Sequence, residues 1–296
     1  MTNLDKPAQL TGATSFDLGG GQGRPPWRIT LYVPPGPAPA AGWPILYLLD
    51  GNAVTGTAID IERVQAPYPG STGIGARFAI VGIGYPTEDA YDGMRRSWDY
   101  TPPPGRSYPP YKPGGPPIRT GGSPAFLDFI MTELKPAVEQ RCQVDRARQA
   151  LFGHSFGGLF VLYALTQVPD AFSHWIAASP SIYWEDSVLL KSVDEFEKGP
   201  RPCANVLLLA GTYEAELAPF QRDAPDREER LARLQQSRTV DLARLMADRL
   251  GKLPGLTSMF QVIPNRTHMT LLPEALNEAV AFSFSGTTKS CVIANP

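Results

Sequence analysis

Short apolar runs rich in β-branched residues punctuate the chain at residues 29–33, 45–49, 78–83, 150–152, 175–178, 206–209 and 259–263. Several are almost continuously apolar instead of alternating, which is the pattern of strands buried on both faces. Between them the apolar period lengthens to that of helices. The clearest case follows Ser123-Pro124: serine reads as the cap and proline as the first helical residue, and Phe126, Phe129, Ile130, Leu134 and Val138 share one face. Strands alternating with helices predict a mostly parallel central sheet flanked by helices, joined by right-handed crossovers.

Two stretches break this rhythm. Residues 101–124 are dominated by proline and glycine, so they are expected to form a long loop serving as a lid or binding segment, the alternative being a plain surface excursion. Residues 219–238 mix arginine with glutamate and aspartate and read as a solvated helix of structural role. The tail after residue 284 reads as a frayed terminus. At 296 residues, a single domain over 1–296 is the expectation.

Composition narrows the function classes. Hydrophobic residues make up 43% and charged residues 19%, enough apolar material for a large core. A net charge of -2 offers no general field for phosphates, so nucleic acid is not an expected partner. No segment has the roughly 18 apolar residues of a spanning helix, and the first twelve residues lack a basic stretch followed by an apolar run. A cytoplasmic protein without membrane association is therefore expected. Cys142, Cys203 and Cys291 are scattered, with no metal-ligand spacing, and no metal or organic cofactor is implied.

The chemistry concentrates in Ala150-Leu151-Phe152-Gly153-His154-Ser155-Phe156-Gly157-Gly158. An apolar strand ends in Gly-x-Ser-x-Gly and runs into a helical pattern, the context of a nucleophile elbow. Ser155 is thus expected on a sharp strand-to-helix turn, with Gly153 and Gly157 leaving room where a Cβ would collide. The Phe156 N–H would face the reacting centre at a helix N-terminus, where negative charge is favoured. A serine hydroxyl needs a base. Of three histidines, His154 diverges from its neighbour Ser155 and His174 has no evident partner. His268 follows the last strand, in the Ser-then-His order this α/β-hydrolase fold uses. The orienting acid is expected in the Gly211–Glu216 stretch, with Glu214 first, Glu216 in reserve and an acid-free dyad as the alternative. The loop Asp50-Gly51-Asn52 after the second predicted strand would supply the other oxyanion donor, the Asn52 N–H.

The motifs LYLLDGNAV, VGIGYPT, RRSWDYTPP, GGSPAFLDFI, GHSFGGLFVLYAL and AASPSIYW together resemble the putative-esterase family, which includes enterochelin esterases and esterase D. Within it they are most similar to the trilactone esterases that open enterobactin-type and salmochelin-type siderophores. The resemblance spans residues 29–284. It implies a Ser155 and His268 pair, an oxyanion site at Asn52 and Phe156, and a large ester substrate. In that branch the third triad residue is not always present, so the role of Glu214 stays open.

Local charge bears on the substrate. Residues 95–120 hold Arg95, Arg96, Arg106, Lys112 and Arg119 against Asp99, a setting that would attract an anion such as a flat catecholate siderophore. Arg96 is the leading contact, with aromatics such as Trp98, Tyr100, Tyr183 and Trp184 for stacking. The expected function is a serine esterase working through an acyl-enzyme on a small-molecule ester of siderophore trilactone type. The alternatives are a broad carboxylesterase on small acyl esters, or a binding protein that keeps the fold without chemistry.

Overall fold

A computed structural model describes residues 9–21, 23–199 and 203–286. Among the described residues, ten strands are interleaved with eleven α-helices. The strands are β1 (Ala13–Leu18), β2 (Trp27–Tyr32), β3 (Trp43–Leu49), β4 (Ala79–Gly84), β5 (Ser107–Tyr108), β6 (Ile118–Arg119), β7 (Val144–His154), β8 (His174–Ala178), β9 (Ala204–Gly211) and β10 (Leu256–Ile263). The helices are α1 (Gly51–Gln65), α2 (Pro69–Thr72), α3 (Gly93–Asp99), α4 (Ser123–Phe129), α5 (Lys135–Glu139), α6 (Phe156–Gln167), α7 (Trp184–Ser187), α8 (Leu189–Phe196), α9 (Arg227–Ser237), α10 (Thr239–Leu250) and α11 (Leu272–Phe284).

Eight strands form one sheet in the order β1-β2-β4-β3-β7-β8-β9-β10. From β4 to β10 every neighbouring pair is parallel, while β1 and β2 join antiparallel at one edge. All seven predicted strands are present. The edge strand β1 was not anticipated, because ATSFDL is half polar and only partly buried. The sheet divides two apolar layers: Tyr47, Leu49 and Leu151 face a core shared with α4, α5, α6, α8 and α10, whereas Leu46, Leu48 and Phe152 face one shared with α1 and α11. The chain leaves β3 toward one layer and β7 toward the other. Ligand crevices of open α/β sheets form at such a divergence, beyond the carboxyl ends of the strands.

Two local expectations are corrected. Ser123 is not a cap: Gly122 holds that position and the buried Ser123 hydroxyl finds no partner among the described residues. The predicted helix also carries a π-helical turn, Ile130–Leu134, just ahead of Pro136. Proline has no N–H and its ring crowds the carbonyl four residues back, so the ladder must loosen there. Phe126, Phe129, Ile130, Leu134 and Val138 are nevertheless all buried. At the far end, Ser285 bridges Ile74 and Gly286 N–H donates to Gly73, so those two residues are held; the rest of the tail, with Cys291, lies outside the described residues.

The elbow explains its glycines unequally. A Cβ on Gly153 would stand 2.3 Å from the Gly157 carbonyl oxygen, and one on Gly158 would stand 2.9 Å from the Ala178 carbonyl oxygen. On Gly157 a Cβ would meet nothing nearer than 3.5 Å, so the expected collision there does not occur. Gly153→Ala should therefore cost about 1–3 kcal/mol of stability, as overpacking does. Gly157→Ala, in the first turn of α6, should be neutral or stabilising by up to ~1 kcal/mol; urea unfolding of both variants checks the difference.

Candidate active site

Ser155 joins β7 to α6 with φ 62° and ψ -118°, a backbone that an L-residue adopts only under constraint. The constraint is visible: Ser155 N–H donates to Ala178 at the end of β8 (2.9 Å), and its carbonyl accepts from Ser181 and Leu159. The turn ends the strand and opens α6 at Phe156. Among the described residues, the Phe156 amide donates to no protein acceptor, so it stands open at the positive end of the helix.

The second open amide lies one strand away. Asp50, at φ 53°, turns the chain from β3 into α1, leaving the Asn52 N–H without a protein acceptor among the described residues. The Asn52 side chain is spent on fixing that turn. It accepts from Tyr85 N–H (2.8 Å) and donates to the carbonyls of Tyr85 (3.0 Å) and Thr87 (2.9 Å). Since β3 and β7 are parallel neighbours, both amides emerge at the same end of the sheet.

His268 sits in the turn after β10. Its Nδ1 meets Glu214 Oε1 at 2.7 Å. Glu214, only 3% exposed, lies just beyond β9, and its Oε2 accepts from the Gly211 N–H (2.8 Å) and the Ser179 hydroxyl (2.6 Å). Loops after three strands thus converge on one carboxylate. The β9 and β10 loops are stitched again by Tyr213 N–H to Arg266 and Asn265 N–H to Thr212. Glu216 is exposed and has no part in this arrangement.

His154 Nε2–H donates to the His268 carbonyl (2.8 Å), and the two rings lie 4.6 Å apart. Burial, then the neighbouring His268, depresses the His154 pKa well below the ordinary value, so it acts here as a neutral donor. The residue before Ser155 therefore fastens the His268 turn to the elbow. No hydrogen bond joins Ser155 Oγ to His268 in this resting structure, and such bonds commonly tighten only around substrate. His174 is structural: it contacts Ser173 and Asn205 edge-on to Phe282, and burial pushes its pKa down to about 4.

The predicted substrate contacts fare differently. Tyr183 lines a cavity of about 470 Å³ together with Glu214 and His268. Arg96 is not free: it forms a two-pronged ion pair with Asp50, 2.9 Å on each prong. Burial opposes its charge, but the Asp50 carboxylate outweighs that cost and raises the Arg96 pKa. Tyr100 adds its hydroxyl under the Asp50 N–H (3.0 Å), so the pair braces the turn carrying Asn52. Trp98 faces elsewhere, because two residues along a helix is about 200° of rotation; it lines a second cavity with Arg119.

Within residues 101–124, Ser107–Tyr108 and Ile118–Arg119 pair as the short β5–β6 hairpin, and the remainder up to α4 has neither strand nor helix. Arg106 pairs with Glu185 at 3.0 Å, the Tyr108 hydroxyl donates to the same carboxylate, and the Tyr108 ring rests on Trp184, which stands edge-on to Phe156. Arg95 donates to the Pro25 and Pro26 carbonyls. Three of the five cations read from residues 95–120, Arg95, Arg96 and Arg106, are thus committed to partners within the protein. A cationic contribution from elsewhere was missed: α9, expected to be purely structural, contributes Arg230 and Arg233 to the His268 cavity. Their three-residue spacing on one helix face was the available signal.

Sheet order, the serine on its strained elbow and the acid-to-imidazole bond at the adjoining strand ends are those of an α/β-hydrolase. The chain belongs to the putative esterase family, whose model matches residues 24–243, and it is a hydrolase acting on ester bonds. It is similar to the ferri-bacillibactin esterase of Bacillus subtilis, 37% identical over 264 residues, covering 87% of this chain and 84% of that protein. A siderophore enterobactin esterase of Emericella nidulans is 41% identical over 159 residues, 52% of this chain and 51% of that protein. The crystal structure of the BES protein from Bacillus cereus superposes with a TM-score of 0.80 at 28% identity, covering 95% of this chain and 98% of that one. Among the described residues no helix is long and apolar enough to cross a membrane.

The buried Asp50–Arg96 pair makes a clean prediction. Arg96→Leu leaves an unpaired carboxylate and should cost about 3–5 kcal/mol in denaturant unfolding, whereas Asp50→Ala with Arg96→Leu should recover a substantial part of it.

Proposed function

We propose that this protein cleaves siderophore esters by a Ser155–His268–Glu214 triad. Ser155 Oγ attacks the ester carbonyl while His268 Nε2 takes its proton; the alcohol leaves with that proton, and water repeats the sequence on the acyl-enzyme to release the acid. The Asn52 and Phe156 amides hold the oxyanion that forms at each attack. The observation that carries the reading is the 2.7 Å contact between Glu214 and His268 Nδ1, which orients Nε2 as acceptor. Glu214, rather than Glu216 or an acid-free dyad, completes the unit.

The substrate class follows from what the relatives are named for, esters of bacillibactin and enterobactin, together with the local chemistry. Arg230 and Arg233 give the His268 cavity a cationic wall and Tyr183 gives it an aromatic one. Both arginines also pair with Asp226, so an anionic ligand competes with that carboxylate for them.

Ser155→Ala should lower turnover by ~10⁴ to 10⁶, and Glu214→Gln by about 10⁴ if the carboxylate orients the imidazole. Steady-state hydrolysis checks both, and a loss under threefold for Glu214→Gln would favour the dyad. Across a panel of ferric and iron-free siderophore esters and short aryl esters, kcat/KM should favour the siderophores. Equal rates on short aryl esters would instead make this a broad carboxylesterase.

A further inference from the structure

A second cavity, about 410 Å³, lies on the other side of α3 from the Asp50–Arg96 pair. Met94, Trp98, Pro116 and Pro117 line it, backed by the buried rings of Trp27 and Phe126, so the partly exposed Trp98 is the ring that a ligand can reach. Both indoles are held in place at the expense of side chains elsewhere. A Cβ on Gly122 would stand 2.3 Å from the Trp98 ring nitrogen, and one on Gly19 would stand 2.8 Å from the Trp27 ring. Trp27 also stacks on Phe129 (3.9 Å) and donates its N–H to Asp99 (2.8 Å).

Arg24, Arg95 and Arg119 line this cavity against one carboxylate, Asp99. Asp99 is buried, and the same oxygen that accepts from Trp27 accepts from the Tyr85 hydroxyl (3.0 Å). Arg95 is pinned by the Pro25 and Pro26 carbonyls. Arg119 is different: its guanidinium lies over the Trp98 ring at 4.6 Å, and among the described residues it makes no ion pair or hydrogen bond. A cation left without an anion, set on an aromatic wall, fits a ligand that is flat on its faces and anionic at its edge.

We propose that this cavity is a binding site for a free aryl carboxylate, separate from the ester-cleaving centre. The Trp98 indole supplies the stacking surface and Arg119 supplies the carboxylate contact, with Arg24 also on the cavity lining. The assignment does not rest on the triad, because α3 stands between the two sites and neither Trp98 nor Arg119 lines the His268 cavity.

Calorimetric titration of the whole chain with benzoate, and with uncharged benzamide as its isostere, tests the assignment. Benzoate should bind at least about tenfold more tightly than benzamide, and Arg119→Ala should weaken benzoate by a similar factor, the loss of one charge-assisted contact. Arg119 is exposed, so that variant keeps the fold, which a thermal melt verifies. Ala125→Trp, an exposed position on α4 that borders the cavity, should block it and abolish binding. Equal affinity for benzamide overturns the proposal, as does absence of binding at millimolar benzoate. It also fails if binding survives Ala125→Trp yet disappears when Ser155 is capped by a fluorophosphonate, because the ligand would then occupy the ester-cleaving centre.

Discussion

A carboxylate withdrawn from water is tolerated only where donors replace the solvent on both oxygens, and Glu214 meets that demand by drawing three strand ends together. Gly211 comes from the end of β9, Ser179 from the turn after β8, and His268 from the turn after β10. Remove the carboxylate and each of those groups loses a partner at once. The same contact that satisfies burial also fixes the direction in which the imidazole points. Stability of the sheet's carboxyl edge and orientation of the His268 imidazole are therefore one requirement rather than two.

A second carboxylate works in the same way on the other side of the elbow. Asp50 is 4% exposed and answered by Arg96, with Tyr100 beneath its backbone. Because the Asp50 turn carries Asn52, the ion pair holds a backbone amide in position without touching the reacting atoms. The aromatic rings of Tyr91, Tyr100 and Phe156 surround the guanidinium at 5.5–5.7 Å, which lowers the cost of keeping it from water. His154 adds a third fixture by tying the elbow to the carbonyl of His268. The serine turn is braced from both neighbouring strands, and its unusual backbone angles persist for that reason.

Much of this was legible in the sequence because it depends on local grammar. Continuous apolar runs marked the parallel strands, and Gly-x-Ser-x-Gly between a strand and a helix marked Ser155. Chain order marked His268, and the loop after β9 marked Glu214. What was not legible depends on where side chains point after folding. Arg96 and Trp98 read as one substrate-facing cluster but lie on opposite sides of α3. Ser123 looked like a cap, yet Gly122 takes that position. The polar helix α9 looked like solvated filler because its charges balance, and only the tertiary fold turns Arg230 and Arg233 toward His268. The edge strand β1 was missed because an edge needs no continuous apolar run.

The central claim is that the imidazole of His268 and the hydroxyl of Ser155 act on the same ester. A crystal structure of the protein after reaction with a fluorophosphonate tests it most directly. The account predicts phosphorus bonded to Ser155 Oγ, its phosphoryl oxygen about 3 Å from the Asn52 and Phe156 amides, and His268 Nε2 within hydrogen-bonding reach of a substituent oxygen. An adduct whose phosphoryl oxygen points away from both amides, with the His268 ring turned out of reach, would contradict it.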